Sequence, residues 1–172
     1  FALTEPNAGS DAANQQTRAV RESDHYRISG QKVFITCGSD ADVCLLFAMT
    51  DPAKKARGIS AFLVESDTPG FDRSHHQVKL GVNASGTVEI FLTEVKVPAG
   101  NRLGREGDGF KIAMSTLDGG RIGIGAQAVG IAAEALEAAL AYAKSRKAFG
   151  RAIADFQVIR FYLADMATEL EA

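Results

Sequence analysis

The sequence predicts an α+β protein: an antiparallel β barrel or sandwich domain followed by the long helices of a truncated helical bundle. Three observations carry that reading. Most β-branched and aromatic residues lie before Gly107, in short runs broken by Asp, Pro and Gly. After Gly107 the apolar residues take up helical spacing. From Ala126 to Tyr142 the chain is dominated by alanine, the strongest helix former. The change in composition sets a β domain at 1–107 and the start of a C-terminal helical domain at 108–172.

Phe1 to Thr4 reads as the end of a buried strand, and Pro6 forbids further ladder donation. Gly9 supplies a backbone without a Cβ, and Ser10 and Asp11 are good helix N-caps, giving a strand-to-turn-to-helix corner. Thr17–Arg21 alternates weakly. Tyr26–Ser29 and Lys32–Thr36 flank Gly30 as the arms of a hairpin would. Val43–Thr50, Ile59–Glu65 and Val88–Glu94 are strand-length runs, and the segment from Thr50 to Gly58 is a polar, exposed loop. Phe110, Ala113, Met114 and Leu117 begin the helical part, and Leu136 and Leu140 continue it four apart. Lys144, Arg146 and Lys147 complement the helix dipole, and Gly150 is placed to stop the helix. A second helix after Asp155 carries Phe156, Ile159, Leu163 and Met166 on one face and is still amphipathic at Ala172. With no Met at the start, both ends suggest a piece of a longer protein.

A net charge of −2 gives no reason to expect nucleic acid or an anionic membrane as partner. Cys37 and Cys44 fit no metal spacing and imply no disulfide, which points to a reducing compartment. His25, His75 and His76 form no metal or triad pattern and read as surface residues. No uninterrupted apolar run approaches the roughly 20 residues that span a bilayer, so no membrane span is expected. Gly123-Ile-Gly125-Ala-Gln-Ala128 matches a dinucleotide fingerprint, but it lacks the preceding strand and the later acidic residue. These glycines read as close-packing positions within a helix.

Four motifs remain: Thr4-Glu-Pro-Asn-Ala-Gly-Ser-Asp11, Gly30-Gln-Lys-Val-Phe-Ile-Thr36, Gly58-Ile-Ser-Ala-Phe62 and Arg146-Lys-Ala-Phe-Gly150. Read singly they are turns, core strands and a cationic helix end. Jointly and in this order they resemble the acyl-CoA dehydrogenase family of flavoenzymes, from Phe1 to Ala172. The resemblance implies an FAD site in which Phe1, Leu3 and Thr4 line the ring, Gly9 and Ser10 approach phosphate or the CoA moiety, and Phe34-Ile35-Thr36 faces the flavin. A hydroxyl at Thr36 beside flavin N5 would stabilise the negative charge that hydride arrival builds on the ring. Ser10, Ser85, Asp118 and Arg121 are implied to meet the acyl-CoA, and an Arg suits pyrophosphate and adenine. Arg146, Phe149 and Gln157 are implied to hold the FAD of a neighbouring subunit, so a homodimer or homotetramer becomes part of the site. Further implications are an electron-transfer flavoprotein as acceptor and a bacterial cytoplasmic or mitochondrial matrix location.

The reaction also needs a carboxylate to remove the α-proton of the thioester, close, desolvated and opposite the flavin. In most of the family that Glu lies beyond the end of this sequence. In a minority it precedes the residue matched by Arg121, and that position here is Gly120. The catalytic residue is therefore unknown, the chain alone is expected to be inactive, and Glu89, Glu94 and Asp118 are not promoted to the role. Phe47-Ala-Met-Thr-Asp51 and Gly58 to Val64 look most like the short-chain, butyryl-type members. The alternatives are an acyl-CoA oxidase, with oxygen as acceptor, and a non-catalytic flavin- or CoA-binding scaffold.

Overall fold

The computed structural model describes every residue from Phe1 to Ala172. The chain forms two compact units, Phe1–Thr116 and Leu117–Ala172.

The first unit is built on β1 (Arg18–Glu22), β2 (His25–Thr36), β3 (Val43–Met49), β4 (Ile59–Glu65), β5 (Phe71–His76), β6 (Thr87–Pro98) and β7 (Arg102–Leu103). They make one seven-stranded sheet in the order β5-β6-β2-β1-β3-β4-β7. Every pairing is antiparallel except β1 with β3, which meet in parallel at Arg18 and Met49. The α+β class is observed, and the β part is a single mixed, open sheet. Tyr26, Ile28, Leu46, Phe62, Val88, Ile90, Val95 and Val97 are fully buried in one cluster. The Tyr26 and Phe62 rings meet edge-on at 4.8 Å. Each such side chain contributes about 1.5–3 kcal/mol through burial.

Gly30 does not turn a hairpin. It lies inside β2, where β1 and β2 run antiparallel from the real turn at Ser23-Asp24. A Cβ on Gly30 would fall 2.5 Å from Thr17 Oγ1 and 2.7 Å from Thr17 Cα, so the glycine permits close approach of a neighbouring backbone. The sequence also gave no sign of β5, whose Phe-Asp-Arg-Ser-His-His run buries only Phe71. The Thr50–Gly58 loop is capped by Asp51, whose carboxylate accepts from Ala53 N–H at 3.1 Å, and then coils as a 3-10 turn over Pro52–Gly58.

The helix α1 (Gly109–Ser145) is 37 residues long, and its part from Leu117 onward belongs to the second unit. By length and composition alone it could cross a membrane. Alanine and glycine interleaved with Ile and Val raise its hydropathy without forming one obvious apolar run. Gly123 and Gly125 sit within this helix with open space around them, so no close packing is seen at either. Gly150 is not the stop of α1. Phe149 (φ 53°) and Gly150 (φ 80°) form the two-residue turn between β8 (Lys147–Ala148) and β9 (Arg151–Ala152), both left-handed as a type I′ hairpin requires. The helix α2 (Gln157–Glu171) follows.

Candidate functional site

The N-terminal segment lies alongside β3 in parallel. Ala2 N–H donates to Leu45 O at 2.8 Å, and Phe47 N–H donates to Ala2 O at 3.3 Å. Phe1, exposed, leans on the Phe47 ring at 5.0 Å. Thr4 O then accepts Val33 N–H at 2.9 Å, which joins this segment to β2. No helix follows Ser10 or Asp11: reciprocal bonds between Glu5 and Ala8 close a turn, and Asn14 N–H bonds Asp11 O at 3.1 Å in another. Too few residues separate the corner from β1 for a helix to form. The expected caps are therefore exposed turn residues, and so is Gly9, with no atom within 4 Å of a built Cβ.

The end of β2 is irregular in an informative way. Tyr26, Ile28 and Lys32 are buried, then the parity flips and Val33 and Ile35 are buried. Pairing with β6 shifts register between Lys32 and Ile35, a bulge. At its centre Phe34 adopts φ 58° with 66% of its surface exposed, and Cys37 follows at φ 56°. A left-handed phenylalanine costs on the order of 1–3 kcal/mol, and such residues gather at ligand clamps. Thr36 stands exposed between the two. Ile35 and Leu3, by contrast, are buried, so they can offer a ligand only their backbone. Ser85 is brought to the same place: its Oγ lies 3.7 Å from Cys37 Sγ.

A buried polar cluster underlies this surface, and the sequence reading missed it. Lys32 Nζ donates to Glu5 Oε1 at 2.8 Å, Gln15 Oε1 at 3.1 Å and Leu3 O at 3.2 Å, with the side chain wholly out of solvent. Burial pushes the Lys32 ammonium down to about 8, against the pull of the Glu5 carboxylate. Burial pulls the Glu5 carboxyl upward, but the Lys32 charge and bond, with the Gln16 and Thr17 N–H donors, outweigh it and hold the group below its ordinary value. The available signal was parity, since Tyr26, Ile28 and Lys32 share one strand face.

In the second unit, Arg121 donates to Asp118 Oδ1 at 2.6 Å, both side chains about two-thirds exposed, and the neighbouring Gly120 has open space where a side chain would stand. The β8–β9 hairpin gathers the other residues of this unit. Ile153 N–H bonds Arg146 O at 2.9 Å, and the Phe149 ring meets Phe156 at 6.1 Å, one residue before Gln157. Arg146, Phe149 and Gln157 are all exposed.

The carboxylates set aside as bases are engaged elsewhere. Glu89 accepts from Gln31 and Gln77, and Glu94 from Arg27 and Ser29. Groups of His, Cys, Asp and Glu able to hold a metal ion are absent.

Residues 1–95 match the family description acyl-CoA dehydrogenase, middle domain, and residues 107–172 match acyl-CoA dehydrogenase, C-terminal domain. The chain is 53% identical to a short-chain specific acyl-CoA dehydrogenase of Megasphaera elsdenii, covering 100% of this chain and 45% of that protein. It is 49% identical to the caffeyl-CoA reductase-Etf complex subunit CarC of Acetobacterium woodii, again over 100% of this chain and 45% of the relative. The solved butyryl-CoA dehydrogenase of Megasphaera elsdenii superposes with a TM-score of 0.96 at 53% identity, covering 99% of this chain and 45% of that one. The chain thus spans a little under half the length of the relatives it matches. With both family descriptions matched in order and this identity along its whole length, the chain belongs to the acyl-CoA dehydrogenase family.

Proposed function

We propose that this chain forms the flavin cradle, and part of the substrate path, of an FAD-dependent enzyme that dehydrogenates a short acyl-CoA thioester to its trans-2-enoyl product. The observation that carries the reading is the bulge at the end of β2. A strained, bare Phe34 and an exposed Thr36 stand beside the N-terminal segment that Val33 fixes through Thr4. These features fit the group that the family implies. An exposed aromatic suits a flat ring, and the open side of Gly9 and the free-standing Ser10 suit a phosphate that a Cβ would crowd. Thr4 and Phe34–Thr36 would hold the ring, and Ser10 the phosphates. FAD, when bound, supplies the hydride-accepting centre. The protein's part is to orient that centre, exclude water behind it, and place the Thr36 hydroxyl as a donor where negative charge develops.

Ser85, Asp118 and Arg121 are proposed to receive the CoA moiety. Arg146, Phe149 and Gln157 are proposed to hold the FAD of a second copy, so that the active assembly is a homo-oligomer. The proton-abstracting carboxylate is read as lying outside these 172 residues. The Etf complex to which one relative belongs supports an electron-transfer flavoprotein as acceptor, and the bacterial sources of the relatives support a bacterial cytoplasmic setting.

A second reading reverses the direction. Relatives at 49% identity are named acryloyl-CoA reductase (NADH) and caffeyl-CoA reductase subunit. Nothing in the cradle favours oxidation over reduction, because the same donor stabilises the same charge either way. The visible spectrum of the full-length protein, taken before and after anaerobic addition of butyryl-CoA, tests the proposal. A yellow protein that bleaches is the expected result. A colourless protein that takes up no FAD would contradict the cradle, and a yellow protein that bleaches only with NADH would select the reductase reading.

A further inference from the structure

Stability alone does not account for the Lys32–Glu5–Gln15 cluster. Lys32 and Glu5 are 0% and 3% exposed at the side chain. Desolvating two opposite charges offsets most of their attraction, and apolar replacements of similar volume are often as stable or more so. What such a cluster gives is a fixed geometry, since every donor and acceptor has one place to go.

Here that geometry has an evident target. Lys32 Nζ holds Leu3 O, the next residue along β2 holds Thr4 O through Val33 N–H, and Lys32 Nζ returns to hold the Glu5 carboxylate. Three consecutive residues of the N-terminal segment are thus pinned by two consecutive residues of β2. Glu5 Oε1 also accepts Thr17 N–H at 3.1 Å, Oε2 accepts Gln16 N–H at 2.6 Å, and Gln15 is itself tied to Ala12 O at 3.2 Å. Immediately past Lys32 and Val33 comes the bulge that presents Phe34 and Thr36.

We propose that Lys32, with Glu5 and Gln15, is a positioning device that sets the spacing between Thr4 and the Phe34–Thr36 bulge, and so the face offered to the flavin. The inference rests on the flavin-cradle reading above. Lys32 does not meet the cofactor; it acts through Leu3, Thr4 and Glu5.

The test uses the full-length protein with Glu5→Gln and Lys32→Met together. The glutamine keeps one acceptor oxygen where the carboxylate gave one each to Gln16 and Thr17 N–H, and the methionine fills the space without a charge, so both buried charges and the pins to Leu3 O and Glu5 are lost together. Apoprotein Tm, the FAD dissociation constant and the flavin absorption band are measured against wild type. The expected result is a folded apoprotein with a lower Tm, since Leu3 O, Gln15 and one of the two N–H groups lose partners, together with FAD binding weakened by about tenfold or more and a shifted flavin band. Wild-type affinity and band in the folded double variant would overturn the positioning role. Should the double variant fail to fold, Gln15→Met carries the test: a weaker FAD affinity with a shifted band supports the role, and an unchanged affinity and band overturns it. A wild-type protein that binds no FAD would instead overturn the cradle reading, and this inference with it.

Discussion

The two units differ in how much of their apolar surface these 172 residues themselves bury. In Phe1–Thr116 the sheet closes a core of its own, with residues from Ala2 to Val97 in one cluster. In Leu117–Ala172 the only buried hydrophobic residue is Ala143, while Ile122, Ile124, Val129, Ile131, Phe161 and Tyr162 stand more than half exposed. The difference teaches where each unit's order comes from. The sheet draws on packing within these residues, whereas the helices leave apolar faces uncovered by these residues, and such a face stabilises a helix only when it is buried against something. It also shows where a site can be held rigidly. Strain such as that of Phe34 persists only where surrounding structure over-determines it, as strand pairing does around β2, whereas the left-handed Phe149 of the second unit sits in a hairpin turn whose type I′ geometry calls for that conformation.

The largest expected effect comes from the core. Phe62→Ala should cost about 3–5 kcal/mol in urea unfolding, because the side chain is fully buried and its edge contact with Tyr26 is lost. A cost under 1 kcal/mol would break the comparison at its root. Hydrogen exchange on this chain sharpens it next. Amides of β2 and β6 should exchange only through global unfolding, and those of residues 121–130 in α1, all exposed, orders of magnitude faster. Uniform protection would show that the helical unit is as well held as the sheet.

The buried pair gives a pH signature confined to the first unit. Between about 8 and 10.5 the unfolded chain keeps a Lys32 proton that the folded state has released, so this group makes stability rise with pH across that window. Glu5 acts at the other end: its contribution is present above 4.5 and is lost as pH falls through its lower folded value. The stability of wild type minus that of the Glu5→Gln, Lys32→Met variant should therefore grow from pH 8 to 10.5 and shrink below 4.5. A flat difference would show that the pair titrates alike folded and unfolded. The smallest effect on stability belongs to Arg121→Ala. Its ion pair with Asp118 is about two-thirds exposed, so unfolding should change by no more than about 0.5 kcal/mol, while the KM for acyl-CoA rises if the residue meets CoA. An unchanged KM would remove Arg121 from the substrate path.

Much of this was legible in the sequence where the signal is local. The runs at Val43 and Ile59 became β3 and β4 within a residue, and the apolar face after Asp155 became α2. What escaped was decided by distant neighbours. Gly30 resembles a turn until Thr17 is seen against it, and β5 buries too little to alternate. The Phe149-Gly150 hairpin uses a phenylalanine where turn chemistry favours Asn or Asp, so Gly150 read as a helix stop. For the proposed site, the motifs singled out Thr4, Phe34 and Thr36. The bulge that bares them and the Lys32 cluster beneath them emerge only when strands separated by many residues are paired.

The central claim is that the end of β2 presents a donor to the reactive face of the flavin. Stopped-flow reduction of the full-length protein by butyryl-CoA, comparing wild type with Thr36→Val, tests it most directly. Thr36 is exposed, so the substitution leaves the core intact. The account predicts retained FAD with reduction slowed by about tenfold or more, as loss of a transition-state donor does elsewhere. Reduction at the wild-type rate, with FAD retained, would contradict it.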